Sequence, residues 1–305
     1  MKTSLTPELL AIALGTPARR TANVPFLFWS DPGFGKTSQI EDALQLAQWA
    51  YKTLSPDHDE TVYGLVPVID AEAKRLTTYP HVWTDALFTA ARSCIVLDDI
   101  TGSTGPVHAA QLRLLTHLET AGLALPPTCA IVALANPSAA AANGRPLRES
   151  TASRFVHVRI ERSATESAEL ALRGFRGDER PIHDLLTQIK NGFEAAYVRE
   201  CELMSAYLAT CPSLRAKDEV EELDVTLSVS DRSAEMATRI VAAARCIDAK
   251  DLIPVLLGGA IGRPHAVGYS AYSERRNIPT MQAVLQSEWR PSQGESDIAF
   301  VVLTR

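Results

Sequence analysis

The stretch Ser30-Asp31-Pro32-Gly33-Phe34-Gly35-Lys36-Thr37 holds two glycines, a lysine and a hydroxyl in an order that suits a phosphate cradle. Glycine lets successive backbone N–H groups curl around an anion. A helix opening at Lys36 would present its N-terminus to the same charge. Lys36 is placed for the outer phosphates of a nucleotide, Thr37 offers a hydroxyl to Mg²⁺, and Ser38 closes the stretch. The general pattern G-x-x-x-x-G-K-[ST] begins on glycine. Ser30 stands at that place here, at some cost if its φ must be positive. The competing interpretation is a chance Gly/Pro turn beside a lysine. The buried-type strand before it, the amphipathic helix after it and a second acidic motif downstream count against that.

That second motif is Ile95-Val96-Leu97-Asp98-Asp99. A carboxylate at the end of a buried parallel strand lies at the ligand edge of an α/β sheet. Asp98 fits a direct or indirect holder of Mg²⁺, and Asp99 a group that polarises an attacking water. Such a group needs hydrogen-bond reach of about 3 Å, and the short Asp99 side chain therefore points to slow turnover. The alternative for Asp99 is a cap on the turn that follows it.

These groups need a scaffold, and the sequence alternates strand and helix signals up to about residue 160. Thr6-Pro7-Glu8 opens a helix ending near Gly15. Strands are expected at Val24–Trp29, Thr61–Ile69, Cys94–Asp98, Cys129–Leu134 and Phe155–Ile160. Helices are expected over 36–51, over 81–91 and from Pro106 onward. Continuous apolar strands between helices predict a five-stranded parallel sheet covered on both faces. Beyond residue 160 helical spacing dominates, over Pro181–Leu208, Ala234–Ile247 and Pro264–Arg275. The expected division is an α/β nucleotide-binding domain over 1–162 and a smaller α-helical lid over 163–305. Gly258-Gly259-Ala260-Ile261-Gly262 has no lysine and no preceding buried strand, so it reads as a helix–helix turn. Ile298–Leu303 fits a strand or a helix end equally. His157 alternates with Val156 and Val158 and is expected on the more polar strand face with Arg159.

Composition narrows the partners. The net charge is −6, with 46% hydrophobic and 22% charged residues, an ordinary globular balance. Arg19-Arg20 and Arg275-Arg276 are isolated basic pairs, and Lys217–Asp224 is an acidic run, which counts against nucleic acid as the main partner. No apolar run reaches the roughly 18 residues of a membrane span, and no signal peptide is evident. The five cysteines are scattered without CxxC spacing, so neither zinc nor a disulfide framework is expected and a reducing cytoplasm is the simplest location.

Five segments in order resemble the AAA+ superfamily, and within it the MoxR-like branch, from about residue 5 to about 275. They are the Pro-Gly-x-Gly-Lys-Thr loop, the Walker B-like Leu97-Asp98-Asp99-Ile100, and Val132-Ala133-Leu134-Ala135-Asn136-Pro137, similar to a sensor 1 strand. Ala152-Ser153-Arg154-Phe155 matches an Arg-Phe signature, and Ser230-Asp231-Arg232-Ser233 is similar to a sensor 2 segment. Ser30, Asp99 and Asp231 depart from the family pattern; many such ATPases carry Glu at the position of Asp99. The resemblance implies that Asn136 orients water or touches the γ-phosphate, that Arg154 is an arginine finger toward a neighbouring subunit, and that Arg232 couples the lid to the γ-phosphate. The plainer readings are an Asn-Pro turn residue, a surface or salt-bridged arginine with Arg145, Arg148 and Arg159 as competitors, and an exposed helix-start residue. The resemblance further implies ATP and Mg²⁺, a ring of subunits, commonly six, a chaperone-like remodelling role, and a partner with a von Willebrand factor A-like domain. The alternatives are a nucleotide-dependent switch or scaffold with little turnover and, more weakly, a nucleic-acid motor.

Overall fold

The computed structural model describes residues 2–19, 21–58, 62–63, 66–72, 74–120, 123–137, 146–172, 182–210, 217–220 and 225–275. Ile298–Leu303 and Cys211 lie outside them. In chain order the elements are β1 (Lys2–Thr3), α1 (Pro7–Gly15), β2 (Phe26–Trp29), α2 (Lys36–Leu46), β3 (Ala50–Leu54), β4 (Val66–Asp70), β5 (Arg75–Tyr79), α3 (Trp83–Thr89), β6 (Ser93–Leu97), α4 (Gly105–His117), β7 (Glu119–Thr120) and β8 (Leu123–Ala124). They continue with β9 (Cys129–Ala135), α5 (Glu149–Ala152), β10 (Val156–Ile160), α6 (Ala164–Leu172), α7 (Ile182–Thr210), β11 (Lys217–Val220), β12 (Val225–Ser228), α8 (Asp231–Cys246), α9 (Ile253–Ile261) and α10 (Arg263–Arg275).

The central sheet has six strands in the order β1-β10-β2-β9-β6-β3, all parallel. Parallel strands need crossovers, and the helices between them supply these. Four expected strands fall in this sheet, but the expected second strand does not. Its described part, Val66–Asp70, pairs antiparallel with β5 in a separate hairpin. The second sheet strand by sequence is instead β3, which begins on Ala50 and Tyr51, the last two residues of the helix expected over 36–51. Helix α2 stops at Leu46, where Gln48 turns into the left-handed region (φ 58°) and Trp49 N–H bonds back to Leu44 O at 2.9 Å. Strand β3 lies at the sheet edge and is only half-buried until Leu54, which is why Ala50-Tyr51-Lys52-Thr53-Leu54 shows no apolar run. The sixth strand is the two-residue edge β1.

Side-chain alternation builds two cores. On one face Phe26, Phe28, Val96, Val132, Leu134, Val156 and Val158 pack with α1, α2 and the later helices α7, α8 and α9 in one cluster. On the other face Leu27, Trp29, Ile95, Leu97, Ile131 and Ala133 pack with α3, α4 and the β11–β12 hairpin. The acidic run at Lys217 is thus partly a hairpin, turning Val220, Val225 and Leu227 inward. Gly258 and Gly259 sit inside α9, not in a turn; the turn is at Gly262, with φ 82°. A Cβ on Gly259 would overlap the carbonyl of His157, because α9 lies directly on the backbone of β10. Among the described residues no helix is long and apolar enough to cross a membrane.

Candidate nucleotide site

Strand β2 is buried along its length and delivers the chain to the C-terminal edge of the sheet. Ser30 continues the ladder, its N–H donating to Ala135 O at 3.3 Å. Its φ is not positive; the left-handed residues of the loop are Gly33 (φ 80°) and Gly35 (φ 74°). Serine at the first position therefore costs nothing in backbone strain, because the turn is made by the two glycines. Gly35 precedes Lys36, the first residue of α2, and no side chain caps that helix. Its open N–H groups are free to meet an anion.

The other strand ends converge on the loop. Lys36 Nζ donates to Ser30 O at 3.3 Å and to Asn136 Oδ1 at 2.6 Å. Asn136 Nδ2 donates to Asp99 Oδ1 at 3.0 Å. Thr37 Oγ1 donates to Asp98 Oδ2 at 3.1 Å, and Asp98 Oδ1 accepts the Asp99 N–H at 3.0 Å. Asp98 and Asn136 follow the neighbouring strands β6 and β9, so the sheet register brings these groups together. Burial pushes the Lys36 amine below its ordinary range; Asp98, Asp99 and Asp31 oppose this, and Arg159 adds to it. Burial likewise raises the Asp98 carboxyl, against the pull of Thr37, the Asp99 N–H and Lys36. Two bonds leave Lys36 one donor of three for a phosphate. Thr37 and Asp98 are hard oxygen donors side by side, a donor set that fits Mg²⁺.

Asp99 has φ 44° and ψ 53°, a left-handed conformation uncommon outside glycine, which aspartate and asparagine adopt more readily than other residues. Such strain gathers at functional positions. It sets the carboxylate against Gly102, where a Cβ would overlap Asp99 Oδ2 and force the carboxylate to shift. Thr101 Oγ1 donates to Asn136 O at 3.1 Å and lies 3.4 Å from Asp99 Oδ1. The alternative of a cap is not seen, as the Asp99 side chain makes no capping bond to the turn after it. Gly102 and Thr101 were not legible as site residues, because their role depends on that left-handed turn.

Two arginines lie beside the loop, Arg159, named from sequence only as a competitor of Arg154, and Arg162, which the sequence did not mark. Arg159, near the end of β10, donates to Asp31 Oδ1 at 3.1 Å with a side chain only 11% exposed. Arg162 stacks on the Phe34 ring, 4.3 Å from its centre. The signal was position, since Arg159 falls at the C-terminal end of a parallel strand, beside the end of β2. His157 shares its face yet is buried, correcting the more polar face expected for it. The Trp29 indole N–H donates to His157 Nδ1 at 3.0 Å. Nε2 therefore carries the proton and donates to Ala152 O at 2.9 Å. Full burial lowers its pKa to about 4, against the bond to Ala152 O, which pulls it up.

Arg154 and Arg232 are brought together, but not with Lys36. Both line a cavity of about 270 Å³ with Arg19, Pro25 and Glu235. Arg154 precedes β10, and Pro25 precedes β2, so this cavity is at the N-terminal edge of the sheet. The length of β2, roughly 10 Å at 3.3 Å per residue, separates it from the phosphate loop. Arg154 donates to the Ser150 carbonyl, and burial, then Arg232, pushes its guanidinium pKa down.

A glycine-turned loop between strand and helix, with carboxylates after a neighbouring parallel strand, defines a P-loop ATPase fold. The chain is similar to a Cytophaga hutchinsonii protein, provisionally named an ATPase, whose crystal structure was determined at 2.00 Å resolution. The likeness has a TM-score of 0.54 at 16% identity and covers 90% of this chain and 89% of the other, which shows the fold. No family model and no curated protein matches the sequence.

Proposed function

We propose that this chain binds Mg·ATP and hydrolyses it as a MoxR-like AAA+ remodeller, working in a ring on a protein partner. The observation that carries the reading is the bonded series Lys36–Asn136–Asp99 beside the Thr37–Asp98 pair. Lys36 and the α2 N-terminus hold the phosphates, and Thr37 and Asp98 hold Mg²⁺, which neutralises charge on the phosphate oxygens. Asp99, aimed by Asn136 and Thr101, accepts a proton from water. Arg154 and Arg232 sit far from this chain's own loop and together form a cationic face suited to a neighbour's nucleotide. The β4–β5 hairpin carries Ile69, Leu76 and Tyr79 at 78%, 66% and 59% exposure. An apolar ridge of this kind supports a protein partner over nucleic acid.

The test is phosphate release as a function of protein concentration. Turnover should rise as subunits assemble, and Arg154→Ala mixed with Lys36→Ala should recover activity that neither has alone. Absence of recovery between folded, assembling variants would remove Arg154 from the neighbour's site. The switch or scaffold reading draws on Asp99 Oδ1, already engaged by Asn136 and near Thr101. It prevails if ATP drives assembly with no measurable turnover. Stimulation of turnover by DNA or RNA would favour the motor.

A further inference from the structure

Phe34 stands between Gly33 and Gly35, both left-handed, so the phosphate loop takes its shape from the two residues least able to hold one. Groups outside the loop steady it. Gln39, in α2, donates from Nε2 to Phe34 O at 3.3 Å and to Gly35 O at 3.0 Å. Arg162 Nη2 donates to the same Phe34 O at 3.4 Å, and its guanidinium lies 4.3 Å from the centre of the Phe34 ring. The ring is itself half-buried against the core that α1 and α2 share with the sheet. Arg162 therefore holds Phe34 by both backbone and side chain. In a trans peptide the C=O and the N–H point opposite ways. A Phe34 carbonyl held toward Arg162 turns the Gly35 N–H to the other side, away from the arginine. That N–H belongs to the cradle of successive amides that a phosphate would meet.

The arginine is anchored on both sides. Before it, the Glu161 N–H donates to Thr3 O at 2.9 Å, and the Glu161 carboxylate pairs with Lys2 at 2.8 Å. After it, Ser163 and Glu166 form a capping box at the start of α6, with bonds of 2.7 and 3.1 Å, and Ser4 Oγ donates to Glu166. Between two fixed neighbours, Arg162 has less freedom to lose when its planar group stacks. We infer that Arg162 is a positioning residue of the nucleotide site: through Phe34 it holds the phosphate loop in the shape that accepts an anion. The inference rests on the reading of this loop as a nucleotide site. It acts on binding and not on chemistry, since the loop holds the phosphates alike in the ground state and the transition state.

The experiment is a double-mutant cycle in the full chain, read by ATP turnover and by titration with a fluorescent ATP analogue. Arg162→Gln removes the guanidinium. Phe34→Leu removes the ring but keeps an apolar side chain for the core. Each should raise KM and Kd by about fivefold, the scale of a partly desolvated cation–π contact, and leave kcat within about twofold. Added to Phe34→Leu, Arg162→Gln should cost less than about twofold more, because its route to the loop has gone. Thermal melts establish that each variant is folded. A variant that was merely destabilised would lose active protein, lowering kcat at an unchanged KM. The inference is overturned if Arg162→Gln binds ATP as its parent does, or if it lowers kcat at an unchanged KM. It is overturned equally if Arg162→Gln costs as much on Phe34→Leu as on the parent, since an arginine touching the nucleotide itself would not need the ring. A parent chain that binds no ATP would sink the proposed function and this inference together, and so is told apart from the other outcomes.

Discussion

Lys36 Nζ lies 2.6 Å from Asn136 Oδ1, and the same amide turns its NH₂ to Asp99. One side chain thus links the phosphate-binding cation to the carboxylate that would handle water. Its orientation is fixed chemically, since an ammonium only donates and a carboxylate only accepts.

Asn136→Ala should therefore impair chemistry more than binding. Loss of one preorganised donor lowers turnover by about 100-fold, while nucleotide affinity should change by less than about threefold. Steady-state phosphate release and a fluorescent-nucleotide titration separate the two. An equal loss in both would make Asn136 a binding group.

Gly102→Ala should reproduce much of that loss without removing a polar group. The new methyl overlaps Asp99 Oδ2 and displaces the carboxylate. Nucleotide should still bind, because Lys36 and Thr37 are unaffected. Normal turnover in Gly102→Ala would show that the left-handed geometry at Asp99 is not needed.

The Asp31–Arg159 pair makes a prediction of opposite signs. Asp31 places a negative charge at the mouth of an anion site, where Arg159 offsets it. Asp31→Ala should tighten nucleotide binding by about fivefold, and Arg159→Ala should weaken it by about tenfold, on the scale of partly exposed charge interactions. Weaker binding in Asp31→Ala would overturn this account.

His157 makes stability depend on acid. Its folded-state pKa of about 4 lies below the ordinary value of 6.5, so the unfolded chain binds the extra proton first. The stabilisation is complete above pH 6.5 and is lost as pH falls toward 4, at most about 3 kcal/mol. Urea midpoints across that window should slope for the parent chain and flatten for His157→Gln. Unchanged slopes would place the titrating group elsewhere.

Gly259→Ala tests the contact of α9 with the sheet. A methyl there overlaps the His157 carbonyl, backbone that cannot move without breaking β10. Destabilisation of about 3 kcal/mol or more is expected in thermal melts.

The sequence alone determined the phosphate loop, because Gly33, Gly35, Lys36 and Thr37 act within one turn of chain. It also marked Asp98, Asp99 and Asn136, each at the end of a buried apolar run that could only be an inner strand. The edge strand β3 was hidden for the complementary reason, as a half-exposed strand has no apolar run. Only the tertiary structure decided that Ser30 needs no positive φ, that Asp31 meets Arg159 across 128 residues, and that His157 is buried against Trp29. It also set Arg232 beside Arg154 rather than beside Lys36. These relations depend on strand register and helix packing, in which residues distant along the chain choose each other's surroundings, and no local spacing encodes that choice.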